Sequence, residues 1–167
     1  MNKRVRKLVH GAIIAALYAL LTHLQNLIFP GSATWAIQMR MSEALCVLAF
    51  FTPAAIWGLP IGCLLFNLTF SAALPLDFLV GSLATYLACK TMWLTRKVLI
   101  RGIPLLGLLM PAAFNALLVG WELTVYIGGG FALNALYVSL GELAVLLTLG
   151  AGLYLLLKKR HLETLLF

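Results

Sequence analysis

The chain has 167 residues, 63% of them apolar and only 10% charged, against roughly 45–50% and about 25% in ordinary globular proteins. A soluble chain of this length could not hide so much apolar surface in one core, which excludes a soluble enzyme, a secreted disulfide scaffold and a disordered tail. The net charge of +7 lies at the ends of apolar runs, so it reads as the positive-inside bias of a multi-pass cell-membrane protein, with no nucleic acid as partner.

Lys3, Arg4, Arg6 and Lys7 precede an apolar run over 8–29. It is long enough to span a bilayer, and too long for the apolar stretch of a cleaved signal peptide. Pro30 and Gly31 end it, and Gly-Ser-Ala-Thr-Trp follows as a loop. The second helix is expected over 38–51, beginning before Arg40, and is short for a span. Pro53 separates it from a third over 54–71. Leu74, Pro75, Leu76 and Asp77 make a tight connection into a fourth over 77–95, and Arg96, Lys97 and Arg101 follow. A fifth run covers 104–127, a turn at Gly128 to Gly130 comes next, and a sixth run over 133–157 is closed by Lys158, Lys159 and Arg160.

The expected fold class is an all-α integral membrane protein with one transmembrane domain over 1–167. Charge favours six spans over five. With six, all three basic clusters share one side with both termini, which is then cytoplasmic; with five, the C-terminal cluster would face outside. No internal repeat of the kind secondary transporters carry is visible.

In this topology the acidic and amide side chains gather in the outer half of the membrane. Gln38, Arg40 and Glu43 lie at the outer end of the second helix, Asn67 near that of the third, and Asp77 at the mouth of the fourth. At about 1.5 Å per residue, Glu122 is roughly 8 Å below the outer end of the fifth and Glu142 roughly 14 Å deep in the sixth. Asn115 is nearer the middle, and Asn134 starts the sixth helix. Each charge in hydrocarbon costs about 2.5–3.5 kcal/mol on insertion scales. Two explanations stand side by side. Arg40 pairs with Glu43 while the asparagines join helices, or the set lines a binding cavity. Trp35, Trp121 and Tyr137 would wall that cavity; an interfacial aromatic belt, to which Tyr126 belongs more readily, is the other reading. Carboxylates beside aromatics suit a flat heterocycle with N–H donors and a cationic amine, with Arg40 or an asparagine donating to a ring carbonyl.

Catalytic signatures are missing. There is no phosphate loop, no Gly-x-Ser-x-Gly elbow, and no pairing of His10, His23 and His161 at zinc spacing. Cys46, Cys63 and Cys89 are odd in number and sit in apolar context, as core residues do. No cofactor or metal is expected. A membrane-embedded enzyme built on Glu122 and Glu142, a pore and a scaffold remain as alternatives. A cavity protein without a motor needs a partner to concentrate its solute. The first helix offers a surface: Gly11, Ala15 and Ala19 recur every four residues beside Ala12 and Ala16, a small-residue stripe that lets another helix come close, whether within this bundle or from a partner.

Gln38-Met39-Arg40-Met41-Ser42-Glu43-Ala44-Leu45, followed by Phe50-Phe51-Thr52-Pro53-Ala54-Ala55-Ile56, resembles the queuosine-precursor transporter family (QueT). So do Gly62-Cys63-Leu64 leading to Asn67, Asp77 with Gly81-Ser82-Leu83-Ala84-Thr85, and Gly141-Glu142-Leu143. The resemblance implies a substrate-binding S component of an energy-coupling factor (ECF) importer, with six helices and cytoplasmic termini. It implies a transmembrane coupling subunit docked on Gly11, Ala15 and Ala19, two ATPase subunits, and toppling of the S component to carry its ligand inward. The loop about Pro30 to Ile37, with Trp35, would cap the ligand. The implied ligand is a 7-deazaguanine such as queuine or a preQ base; another vitamin or purine-like base is the alternative cargo on the same fold.

Overall fold

The computed structural model describes residues 2–32, 37–70 and 73–159. Among them the chain is helical, with a single isolated bridge between Ile100 and Ile103. Helix α1 covers Lys3–Ile28, α2 Ala55–Thr69 and α3 Asp77–Thr95. A short α4, Leu105–Leu108, leads into α5, Met110–Tyr126. Helix α6, Phe131–Val145, continues through a π-helical turn, Leu146–Gly150, into α7, Ala151–Lys159. Three stretches are long and apolar enough to cross a membrane: Arg4–Ile28, Leu105–Tyr126 and Phe131–Lys159.

Helix α1 starts at Lys3, five residues before the apolar run, because Lys and Arg are good helix formers and Asn2 accepts from the Arg4 N–H as its cap. The second element is where expectation and structure part. It begins at Met41, after Arg40, and Met41–Phe50 is a 3₁₀ helix. Residues 38–40 cannot join it, because their backbone is taken up elsewhere. Gln25 of α1 donates to the Met39 carbonyl and accepts from the Met41 N–H at 2.7 Å, and Met39 N bonds Ser32 O at 3.1 Å. The 3₁₀ form lengthens the element but leaves it short of a hydrocarbon core of about 30 Å. At about 2.0 Å per residue its ten residues cover roughly 20 Å, where an α-helix would cover roughly 15 Å.

That 3₁₀ helix is the centre of the bundle. Eight of its ten residues are buried, and Val47, Ala49 and Phe50 pack in the core with Ile14, Tyr18, Leu59, Met92, Leu108 and Tyr154. Around it the α-helices meet on small residues. A Cβ on Gly58 would come within 2.6 Å of the Gly11 carbonyl, and one on Gly62 within 2.6 Å of the Ala15 carbonyl, so α1 and α2 touch backbone to backbone. Gly120 does the same for α5 against Ala135 of α6, at 2.9 Å. The small-residue stripe on α1 is therefore divided. Ala15 is buried against α2, Gly11 and Ala19 are half-buried, and Ala12 and Ala16 are exposed.

Candidate ligand-binding site

The 3₁₀ helix and four α-helices (α2, α3, α5 and α6) bring the expected polar residues together, and their hydrogen bonds sort them into two groups. The first is fully partnered. Glu43 has no exposed surface; its Oε1 accepts from the Tyr18 hydroxyl and its Oε2 from the Cys46 thiol at 3.1 Å. Next to it, the Thr22 hydroxyl lies 2.7 Å from that of Ser42. Asp77 is buried at the start of α3, where its Oδ2 accepts from the Leu74 N–H at 2.8 Å and closes the turn into the helix. Asn134 is half-buried and donates to the Gly128 carbonyl and the Thr124 hydroxyl, each at 3.0 Å, which locks the α5–α6 turn.

The second group is only partly partnered. Asn67 donates to the Asp77 carbonyl at 2.8 Å, but its own oxygen accepts nothing. Glu142 is 1% exposed; Asn115 donates to its Oε1 at 3.2 Å and its Oε2 has no donor. Glu122 has no exposed surface and no donor on either oxygen. Asp77 is the charge that acts on it most strongly, and two carboxylates cannot hydrogen-bond without a proton between them. Buried polar atoms are nearly always paired, and one left unpaired costs about 1–3 kcal/mol. Four such acceptors, on Asn67, Glu122 and Glu142, are left without a donor among the described residues, and on Glu122 only a proton shared with Asp77 could supply one.

Arg40 supplies the one positive charge that acts on both Glu122 and Glu142. It is buried, with its guanidinium 3.8 Å from the Cys63 sulfur and 6.0 Å from the centre of the Phe66 ring. The segment that carries it rests on Gly141: a Cβ there would overlap the Gln38 carbonyl. Gln38 itself is buried at that contact, one residue from Glu142 along α6. A cavity of about 750 Å³ opens beside this segment, between the C-terminal end of α1 and α6, lined by Gln25, Ser32, Met39, Met41, Val145 and Thr148 among others. Trp121 is 49% exposed at the surface of the bundle and Tyr137 is half-buried. Trp35 lies outside the described residues.

The sequence held a signal for residues not counted in the site. Tyr18, Thr22, Gln25 and Asn26 recur at the spacing of one helical face inside the first apolar run, and all four are buried. That face grips Glu43, Ser42 and the 38–41 segment.

The family model described as QueT transporter matches residues 8–159. The chain belongs to the QueT transporter family. The match takes in the whole polar cluster of this QueT member, from Tyr18 to Glu142. Membership makes it a membrane transport protein and speaks against the enzyme reading of Glu122 and Glu142. No curated protein and no solved structure matches the chain.

Proposed function

We propose that this QueT protein is the substrate-binding S component of an ECF importer and takes up a 7-deazaguanine precursor of queuosine. The unpartnered buried acceptors on Asn67, Glu122 and Glu142 carry this reading. The ring N–H and exocyclic amine of a guanine-like edge are donors that a carboxylate receives as a charge-assisted pair. An aminomethyl cation, as on a preQ base, would occupy a second carboxylate. Arg40 would donate to the ring carbonyl, and the loop with Trp35 would close over the ligand. Gln38, Asp77, Asn115 and Tyr137 would shape the surroundings. Trp121 and Asn134 contribute from the rim.

Six spans with cytoplasmic termini suit this role, since the basic clusters at Lys3–Lys7, Arg96–Arg101 and Lys158–Arg160 then face one compartment. The transmembrane coupling subunit would dock at a groove of about 450 Å³ on the cytoplasmic half of α1 and α2, lined by Gly11, Ala12, Ala15, Trp57, Gly58 and Ile61 among others, and two ATPases would drive the cycle. The test is calorimetric titration of the purified full chain in detergent with queuine, preQ bases, guanine and a panel of vitamins. Tight binding of deazaguanines alone is the expected result. Binding of another base or vitamin with no response to deazaguanines overturns the cargo.

A further inference from the structure

A second polar site lies far from the acidic cluster, at the basic end of the molecule. After α3 the chain makes a tight hairpin: Ile100 N bonds Ile103 O at 2.8 Å and Ile103 N bonds Ile100 O at 3.1 Å. The two residues between them both have positive φ, 52° at Arg101 and 83° at Gly102. Two left-handed residues in succession make a turn of the I′ type, uncommon for a residue with a side chain. The turn therefore holds the Arg101 side chain on a fixed base.

Helix α7 is tied to the same turn. The Lys158 ammonium donates to the Gly102 carbonyl at 3.1 Å and stands 5.7 Å over the Tyr154 ring. An ammonium has three donors, and the turn takes one of them. Between turn and helix is a cleft of about 370 Å³ lined by Arg101, Gly102, Ile103, Leu155, Lys158 and Lys159. Three of its six lining residues are cations and none is acidic. Directly beside it the surface turns apolar: Leu99, Ile100, Leu155 and Leu156 are each about half exposed, between 48% and 52%.

A cationic cleft beside an exposed apolar wall fits a molecule with an anionic head and a hydrocarbon body. We infer that this cleft binds the phosphate head group of an anionic membrane lipid, whose chains lie along Leu155 and Leu156. Basic clefts at the cytoplasmic ends of spanning helices suit such head groups, and each cation near an anionic surface strengthens binding roughly fivefold. A free phosphate would use the cations and ignore the wall. The inference rests on the chain being embedded in a membrane with this end at the lipid–water boundary, and is independent of the cargo.

The experiment is native mass spectrometry of the purified full chain with added phosphatidylglycerol or phosphatidylcholine of matched acyl chains. The wild type should retain phosphatidylglycerol at least about fivefold more tightly. Arg101→Gln with Lys158→Gln should lose the preference. Arg96→Gln with Lys97→Gln should keep it, because Arg96 is stacked on Trp93 at 3.6 Å and neither residue lines the cleft. Equal retention of the two lipids by the wild type, equal loss in both variant pairs, or displacement of the lipid by millimolar inorganic phosphate would each overturn the inference. The wild-type comparison decides even if a variant fails to fold. Deazaguanine titration of the same preparation reads the transport proposal separately.

Discussion

The Tyr18 hydroxyl donates to Glu43 across the interface between α1 and the 3₁₀ helix, and this bond anchors the central element to the longest helix of the first half of the chain. Both residues are fully buried, so the bond has no water to replace it. Tyr18→Phe leaves one carboxylate oxygen without a donor. The expected cost is about 1–3 kcal/mol. Thermal unfolding in detergent should show a melting point lowered by several degrees; an unchanged one would mean that Glu43 finds another donor.

Glu122 and Glu142 should behave differently from Glu43. Their oxygens that accept nothing are the ones a ligand would use. Glu122→Gln and Glu142→Gln should each weaken deazaguanine binding by roughly 10- to 100-fold, the worth of one charge-assisted bond. The melting point of the ligand-free protein should stay the same or rise, because buried carboxylate oxygens that accept nothing are removed. Unaltered affinity in both variants would refute the carboxylate roles.

Gly141→Ala tests the seat of the 38–40 segment. The added Cβ would overlap the Gln38 carbonyl, so the segment must lift away from α6. That displaces Arg40, two residues on. Ligand affinity should fall, and overpacking should cost about 1–3 kcal/mol. Hydrogen exchange should rise at the Met39 and Met41 amides, whose partners are Ser32 and Gln25. Slow exchange at both amides would show that the segment does not depend on this contact.

The two faces of the α1 stripe call for different substitutions. Ala15 packs against Gly62, so a leucine there would pry α1 from α2 and damage the fold itself. Ala12 is exposed and lines the groove. Ala12→Leu should abolish uptake in cells with ligand binding by the purified chain intact. Gly62→Ala, in contrast, should lower the melting point, since its Cβ would stand 2.6 Å from the Ala15 carbonyl. Normal uptake by Ala12→Leu would move the docking face elsewhere.

Apolar runs, flanking cations and the Pro and Gly breaks marked the order of the helices. They could not tell a 3₁₀ helix from an α-helix over Met41–Phe50, where apolar residues on every side erase the periodicity that separates the two. That Glu122 and Glu142 stand inside apolar helices was legible from the runs around them, and both are buried. Which carboxylates were already satisfied was not, because Tyr18 reaches Glu43 and Asn115 reaches Glu142 from other helices, 25 and 27 residues away. Nor were the bonds of Asn134 to Gly128 and Thr124, which tie the α5–α6 turn. Tyr18, Thr22 and Gln25 form a polar stripe on the first run as regular as its stripe of small residues, and two stripes on one apolar helix mask each other in the hydropathy pattern.

The 3₁₀ helix carries a constraint of number. With 3.0 residues per turn, every third side chain stands directly above the last, so Glu43, Cys46 and Ala49 form a straight column. Removing a single residue between Glu43 and Phe50 would swing everything below it by about a third of a turn. A deletion before Cys46 would take its thiol from Glu43, and one anywhere in the stretch would take Phe50 from Gly107, against which its ring is now pressed. Length changes in this stretch are tolerable only in triplets, a rule of spacing that an α-helical segment in the same place would not obey.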